Sequence, residues 1–439
     1  MFEKAVINGK VYRNGRWEKT NLYIKKGKID LISESCLEAK EYIDAKNYKV
    51  IPGLIDSHVH LHMGGGNSYS ADDFYTGSVA AAYGGITTLI DFLDEVPTAG
   101  LIEEKYEKRR GEAKDAVIDY SFHPSVCGLS DDPEVIRETI LKLGLPSMKV
   151  YTTYKESGIY SDDESIRKLV EVTTDGDVML LSHSEKDDLL DTECKDIRCH
   201  SKNRPVASEV EQIRIIAQMI KETRGRGYIV HVSCGSSMKM LEEEYPELLK
   251  EHLFLESCPH YFLFDDSEYE KPTNIRYTMT PPLRTKEEQQ ILRDHIDMVD
   301  CISTDHCPFM LSRKQQPTLA GLPMGVGGVE QSFRQMYRLF GEKILPQYTI
   351  LPAIIHGLYP DKGVIEEGFD ADLVLFYESK VELPIQEHTA CDYSIYEGMT
   401  SNISIDYVMS RGNLVIEKGV FHKQRGQFRT RKLLQGGIR

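Results

Sequence analysis

The sequence lacks the cysteine pattern of a disulfide-stabilised protein. Its nine cysteines are odd in number, scattered along 439 residues, and include no C-x-x-C pair. A chain of 50.0 kDa also buries enough apolar surface to fold without covalent cross-links. These features predict reduced thiols in a cytoplasmic protein.

Secretory, membrane and basic signals are also scarce. The N-terminus, MFEKAVINGK, has no apolar segment followed by a small-residue cleavage site. The apolar runs are well short of the roughly 18 residues that a membrane span needs. A net charge of −16 disfavours nucleic acid or an anionic membrane as a partner. The one basic stretch, residues 425–439, we interpret as a solvated or subunit-bridging tail rather than a localisation patch.

Two β-rich ends flank one long middle region. Near the start, alternating runs such as AVING, NLYIKKG and KIDLI are separated by turn signals at Asn8–Gly9 and Gly27–Lys28. Similar runs return near the end as DADLVLF, YVMSRG and NLVIEKGVF. We therefore predict a small split β-sandwich domain formed by residues 1–50 and 361–439, around a central domain at 51–360.

The central region alternates short apolar runs with stretches of helical spacing, such as ASEVEQIRIIAQMIKETRG. Near-continuous apolar strands between helices are typical of parallel strands buried on both faces. Eight such strands predict a (β/α)8 barrel. The eight runs are VIPGLIDSHVH, GITTLIDF, VIDYSFHPSV, SMKVYTT, VMLLSH, YIVHVS, LFLESC and MVDCISTD.

Polar residues at or near the ends of these runs point to a metal site, because a barrel of this kind builds its site where the strands end. Each has an ordinary alternative: an H-x-H pair can be polar lining, a single histidine can be structural, and an aspartate can cap a helix. Together they form the imidazole and carboxylate set that zinc and similar ions favour. The set is His58, His60, Lys149, His183, His231 and Asp305.

Lys149 needs a separate explanation, since an ammonium would be repelled by a metal cluster. A buried lysine readily loses its proton, and a neutral amine reacts with carbon dioxide to give a carbamate that bridges two metals. The alternative is a buried ion pair with Asp or Glu. Two ions about 3.5–4 Å apart activate a shared water. Asp305 is our candidate to move its proton, and Tyr154 to donate a hydrogen bond to the developing oxyanion.

Taken together, these motifs resemble the amidohydrolase superfamily, specifically the hydantoinase and dihydropyrimidinase group of cyclic amidohydrolases. The resemblance covers nearly the whole chain and is carried by GLIDSHVHLH, DDFYTGSVAAAYGGITTLIDF, KVYTTY, YIVHVSC, ESCPHY, MTPPLR, STDHCPF and GLYPDKGVIEEGFDADLVLF. It implies a homotetrameric hydrolase with two divalent ions, by default zinc, in which a metal-bridging hydroxide attacks the carbonyl of cyclic amide or ureide rings.

The resemblance also implies a role for each residue. One ion is expected on His58, His60, Lys149 and Asp305, and the other on Lys149, His183 and His231. Substrate contacts are expected at Tyr154, Thr280 and Met324, largely through backbone groups at the last two.

Several positions depart from the family pattern and concern the substrate. Met324 replaces an Asn, Thr280 replaces a frequent Ser, and His260 replaces the Gln of hydantoinases, as allantoinases tend to do. The segment HMGGGN is glycine-rich where the family carries a bulkier lid and where allantoinases carry an acidic, proline-containing stretch. His62 stands where dihydroorotases place a carboxylate-binding Arg. A non-catalytic scaffold of this fold lacks metal ligands, whereas all six are present here.

Overall fold

The computed structural model describes residues 1–65, 68–128 and 130–434. In chain order its strands are β1 Phe2–Arg13, β2 Arg16–Lys25, β3 Lys28–Ser33, β4 Ala39–Asp44, β5 Lys49–Pro52, β6 Leu54–Val59, β7 Gly64–Gly65, β8 Ser68–Tyr69, β9 Ile86–Phe92, β10 Asp119–His123, β11 Ser147–Tyr151, β12 Met179–His183, β13 Gly227–Ile229, β14 Leu253–Ser257, β15 Cys301–Ile302, β16 Leu373–Pro384, β17 Thr400–Ser410, β18 Asn413–Glu417 and β19 Val420–Phe421.

The α-helices lie mainly between the strands of the central region. They are α1 Phe74–Tyr83, α2 Ile102–Glu112, α3 Pro133–Lys142, α4 Asp163–Glu171, α5 His200–Asn203, α6 Val206–Thr223, α7 Gly235–Glu244, α8 Pro259–Leu263, α9 Lys286–Asp294, α10 Leu311–Lys314, α11 Ser332–Phe340, α12 Leu345–Tyr348 and α13 Ile350–Ile355. Among the described residues, none of these helices has the length and apolar character that crossing a lipid bilayer requires.

Eight parallel strands, β6 and β9 to β15, form the predicted (β/α)8 barrel. Strands β6, β9 and β10 pair in one sheet and β11 to β15 in another. Parallel bridges between Ser125 and Lys149 and between Val59 and His306 join the two sheets on both sides. The barrel is therefore closed, and each of the eight apolar runs contributes one strand.

The barrel strands are buried on both faces, which explains their continuous apolar sequences. Every residue of β9, β11 and β14 is buried. The long helix α6 shows the complementary pattern, since Ile213, Ile216, Ala217 and Ile220 recur at helical spacing and are buried. That apolar face packs against the barrel, as its sequence predicts.

Both ends of the chain meet in the predicted small β-domain. Strands β1 to β5 and β16 to β19 form one nine-stranded mixed sheet, in which β5 pairs with β16 and so joins the two ends. The sheet encloses its own apolar core, which includes Val6, Leu22, Val50, Leu373 and Met409. The exact domain boundaries, 50/51 and 360/361, stay a prediction.

One of the two predicted turns in this domain is misplaced. Asn8 and Gly9 lie inside β1, where the pairing with β2 shifts register, and Asn8 adopts a φ of 65°. The turn is at the second Asn-Gly pair, Asn14–Gly15, between β1 and β2. Asn and Gly tolerate positive φ in a bulge as well as in a hairpin turn, so the dipeptide alone does not distinguish the two. The turn at Gly27 is confirmed.

The C-terminal segment is not a solvated tail over its described part. Residue Tyr120 of β10 donates its backbone N–H to Gln427 at 3.0 Å and accepts from Arg429 at 2.7 Å. Arg431 is buried and donates to Ser121 Oγ and Ser147 Oγ at 2.9 and 3.0 Å. Residues 425–434 therefore pack on the chain's own barrel, while 435–439 lie outside the described residues.

A disulfide joins Cys194 to Cys199, so the prediction that every cysteine is a reduced thiol is wrong for this pair. The short turn Ile197–Cys199 brings the two Cα atoms within 6.2 Å of one another. The two cysteines are five positions apart, which is outside the C-x-x-C pattern. Their pairing depends on the local turn, and the number and spacing of cysteines do not predict that turn. No other disulfide forms among the described residues.

Candidate active site

The six predicted ligands meet at the rim formed by the carboxyl ends of the barrel strands. His58 lies near the end of β6, Lys149 is inside β11, and His183 ends β12. The other three, His60, His231 and Asp305, follow β6, β13 and β15 by one to three residues. No helix begins at Asp305, so the helix-cap explanation does not apply to it.

Three of these side chains aim their ligand atoms at one point. The Nε2 atoms of His58 and His60 are 3.2 Å apart, and each is 3.2 Å from Asp305 Oδ1. Ligands at about 2.0–2.1 Å from a tetrahedral ion lie about 3.3 Å from one another. The spacing and the ligand types therefore fit a divalent metal ion.

A second pair of imidazoles lies beside this group. His183 Nδ1 is 3.0 Å from His231 Nε2. The ring of His231 is 5.5 Å from that of His58, so the two groups are neighbours in one site. Two imidazole nitrogens directed at each other in this way fit a shared ion, although a hydrogen bond between them has the same distance.

Lys149 lies against the first of these groups. It is buried, its Nζ is 3.1 Å from His58 Nε2, and it lies 4.1 Å from the centre of the Phe92 ring. It forms no ion pair with a described Asp or Glu, so the alternative of a buried ion pair is not supported. Burial lowers the pKa of Lys149, which favours the neutral amine.

Burial and charge set the protonation of the other groups. Burial lowers the pKa of His60 to about 3, leaving its ring neutral and able to bind a metal. Burial alone would raise the pKa of Asp305, but His58 and His60 hold it well below its usual range, so it is a carboxylate. Burial raises the pKa of Tyr154 to about 12, which keeps its hydroxyl a donor.

The site opens into a cavity of about 710 Å³. The three predicted substrate contacts, Tyr154, Thr280 and Met324, all line it together with His60, Lys149 and Asp305. His260 is buried and is not among the residues that line it. The glycine-rich segment borders the cavity at Gly64, but Gly66 and Asn67 lie outside the described residues.

Comparison with known proteins gives the family. The model of the amidohydrolase family matches residues 49–415, which is most of the chain. The chain belongs to the amidohydrolase family.

Within this family, the chain is similar to hydantoinases and a dihydropyrimidinase. A D-phenylhydantoinase of Escherichia coli O81 (strain ED1a) is 32% identical over 427 residues, covering 89% of this chain and 90% of that protein. Among solved structures, a dihydropyrimidinase from Brevibacillus agri has a TM-score of 0.92 and 28% identity, with 98% of each chain covered. A D-hydantoinase from Bacillus sp. AR9 has a TM-score of 0.94 and 28% identity, covering 99% of this chain and 100% of that one.

Supporting carboxylates in this amidohydrolase were not predicted from the sequence. Glu256 Oε1 accepts from His58 Nδ1 at 2.6 Å and from the backbone of His231 at 3.1 Å, and its other oxygen accepts from Tyr228. A carboxylate on one ring nitrogen leaves the lone pair of the other free for a metal. The available signal was the acidic residue of ESCPHY at the end of an apolar strand.

The second carboxylate, Glu185, supports His183 in the same way. It accepts from His183 Nε2 at 3.0 Å and from Arg204 at 2.7 Å. Arg204 holds the pKa of Glu185 low although the carboxylate is buried. Alternation along an extended chain would have placed residue 185 on the same side as residue 183, which is the signal that was overlooked.

Backbone conformation also directs this site. Tyr154, His231 and Asp305 have φ values of 70°, 42° and 49° in the left-handed region. Such conformations cost free energy in non-glycine residues and cluster at functional sites. They turn the chain sharply where strands end, and apolar runs do not reveal them.

Proposed function

We propose that this amidohydrolase opens cyclic amide or ureide rings, such as hydantoins and dihydropyrimidines, by metal-dependent hydrolysis. The observation that carries the proposal is the meeting of six ligand-type side chains at the strand ends of the barrel, where five of them line one cavity. The similarity to D-phenylhydantoinase, D-hydantoinase and dihydropyrimidinase supports the substrate class.

The proposed centre holds two divalent ions, with zinc as the expected metal. His58, His60, Lys149 and Asp305 would hold one ion, and Lys149, His183 and His231 the other. Two such ions supply a water that ionises near neutral pH and a positive charge that polarises the ring carbonyl.

Lys149 is proposed to act as a carbamate. The neutral amine attacks carbon dioxide, forms an N–C bond and releases a proton, which leaves an anion with two oxygen atoms. The absence of a carboxylate partner among the described residues and the 3.1 Å distance between Nζ and His58 Nε2 support this role. An unmodified ammonium at this position would repel cations.

The remaining steps are assigned to side chains of the cavity. Asp305 accepts a proton from the attacking water and returns it to the leaving ring nitrogen. Tyr154 donates its hydroxyl hydrogen to the oxygen of the attacked carbonyl as negative charge develops. Backbone groups at Thr280 and Met324 bind the amide edges of the ring and orient it.

Assembly and location follow from the same family similarity. We propose a cytoplasmic homotetramer with closed symmetry. Light scattering at micromolar concentration is expected to give four times the mass of the chain. A monomer under those conditions would contradict this assembly.

Metal analysis tests the centre before any substrate is chosen. Elemental mass spectrometry of the purified protein is expected to find two divalent ions per chain. His183→Ala should reduce that content, whereas His422→Ala, at an exposed histidine of the β-domain, should not. A wild-type protein that binds no metal would instead be a non-catalytic scaffold.

A substrate panel tests the reaction. Hydantoin, 5-monosubstituted hydantoins, dihydrouracil, allantoin and dihydroorotate are incubated with the metal-loaded protein, and ring opening is followed by loss of ultraviolet absorbance. We expect hydantoins and dihydrouracil to be hydrolysed. No turnover of any cyclic amide would refute the proposed function, and faster turnover of allantoin would reassign the substrate.

A further inference from the structure

We propose that Glu95 binds a positively charged group on the substrate, so that the preferred cyclic amides carry a ring substituent ending in a cation, such as an aminoalkyl chain. The inference rests on the proposed function and adds the chemistry of the substituent. It comes from one wall of the cavity, where one carboxylate forms no ion pair with any described residue. The charged residues of this wall are Asp94, Glu95, Lys108 and Arg109.

The other charged groups of that wall neutralise one another. Asp94 forms an ion pair with Lys108 at 2.8 Å. Arg109 forms ion pairs with Asp91 at 2.6 Å and with Glu112 at 2.9 Å. Both cations of the wall are therefore occupied and do not offer a binding group for an anionic substituent.

Glu95 differs from these residues. It lines the cavity and is half-buried, yet it has no hydrogen bond or ion pair with any residue in the described ranges 1–65, 68–128 and 130–434. A half-buried carboxylate loses part of its hydration. A charged hydrogen-bond donor compensates for the lost water better than a neutral donor does. A cationic group entering the cavity would supply that donor.

The backbone on both sides of Glu95 is fixed. Leu93 donates its N–H to His123 O at 2.9 Å, and Val96 donates to Ser125 O at 3.0 Å. Glu95 thus projects from a short segment held against the adjacent strand β10. A charge on a segment held in this way loses little conformational entropy when it binds a partner.

Glu95 lines the same cavity as the groups of the proposed reacting centre, Lys149, Tyr154 and Asp305. Phe92 and Leu93 also line this cavity and offer apolar surface. A long cationic chain packs its alkyl stem on apolar surface and keeps its charged end in a polar environment. In this cavity the stem would lie on Phe92 and Leu93 and the charged end at Glu95.

The test compares substituents of equal size and different charge. Values of kcat/KM are measured for 5-(4-aminobutyl)hydantoin, the neutral 5-pentylhydantoin and the anionic 5-(2-carboxyethyl)hydantoin. Wild type should favour the aminobutyl over the pentyl compound by about tenfold, the scale of one charge-assisted hydrogen bond. The difference should appear mainly in KM, because the contact is equal in ground and transition states.

Two variants and a control separate the charge of Glu95 from general effects. Glu95→Gln should bring the aminobutyl-to-pentyl ratio close to one. Glu95→Lys should instead favour the carboxyethyl compound, and any folding defect is detected by its metal content. Glu104→Gln makes the same chemical change at an exposed position of α2 that does not line the cavity, and should keep the wild-type ratio.

The outcomes distinguish the two proposals. A wild-type enzyme that hydrolyses all three hydantoins without preferring the cation, or a ratio unchanged in Glu95→Gln, overturns the role of Glu95 and leaves the proposed function standing. No hydrolysis of any hydantoin overturns the proposed function, and with it this inference. A preference lost in Glu95→Gln and reversed in Glu95→Lys supports the assignment.

Discussion

Replacing Asp305 with Asn tests the proposed general base with little change in shape. Asp305 Oδ1 lies 3.2 Å from Nε2 of both His58 and His60, and an amide oxygen can occupy the same point. The change removes one negative charge and the ability to accept a proton. The five other proposed ligands are untouched, so we expect most of the metal to remain bound.

The size of the effect follows from the role. General acid–base catalysis is worth about 10²–10⁴-fold in rate, which corresponds to about 3–5 kcal/mol in the barrier at about 1.4 kcal/mol per tenfold. We therefore expect kcat to fall by at least a hundredfold. KM should change much less, because Asp305 is assigned to the chemical step rather than to ring binding.

The assay measures kcat, KM and bound metal on the same preparation. Asp297→Asn is the matched control, since Asp297 is an exposed residue that pairs with Lys343 on the surface, and it should behave as wild type. If Asp305→Asn kept activity within about threefold, which is under 1 kcal/mol, with its metal retained, Asp305 would not be the general base.

Three further predictions follow. Lys149→Ala should lose most of its metal and activity, and acetate or propionate should restore part of both by supplying the missing two-oxygen anion; full metal content and turnover in the variant would contradict the bridging role. Dihydroorotate should be a poor substrate, because His62 replaces the expected arginine and Arg109 is already paired with two carboxylates; a kcat/KM equal to that of dihydrouracil would refute this. Burial raises the pKa of Glu387 to about 7, so ionisation of this side chain opposes folding. The protonated side chain stabilises the fold fully below about pH 4.5, and this stabilisation is lost as the pH rises through 7. Glu387→Gln should therefore raise the free energy of unfolding at pH 8 by about 1–3 kcal/mol, measured as a higher melting temperature. At pH 4.5 the melting temperature should be nearly unchanged, and equal shifts at both pH values would exclude ionisation as the cause.

The barrel was predictable because its signal is repeated and local. Eight apolar runs alternate with amphipathic helices, and burial on both faces requires such runs. Strand ends were less predictable. The run YIVHVS predicts a strand that ends at His231, but β13 ends at Ile229 and His231 adopts a left-handed backbone. That conformation depends on packing at the rim, which apolar patterning does not encode.

The candidate site also divides into a part that local sequence patterns predict and a part that depends on packing. Side chains at strand ends were predictable as a group because parallel strands bring their carboxyl ends to one rim. Their supporting contacts were not: Glu256 is 198 positions from His58 in the chain, and only the closed barrel brings them together. The disulfide between Cys194 and Cys199 likewise depends on a local turn, and the number of cysteines does not predict that turn.

The packing of the C-terminal segment has a consequence for how the protein is made. Arg431 reaches Ser121 and Ser147 in strands β10 and β11, and β16 pairs with β5 across more than 300 residues of chain. Neither contact can form until the residues that make it, Arg431 and strand β16, have left the ribosome. Until then the edge of β5 that pairs with β16 stays open, and unpaired strand edges favour aggregation. This fold is thus completed only after residues 373–434 have been synthesised.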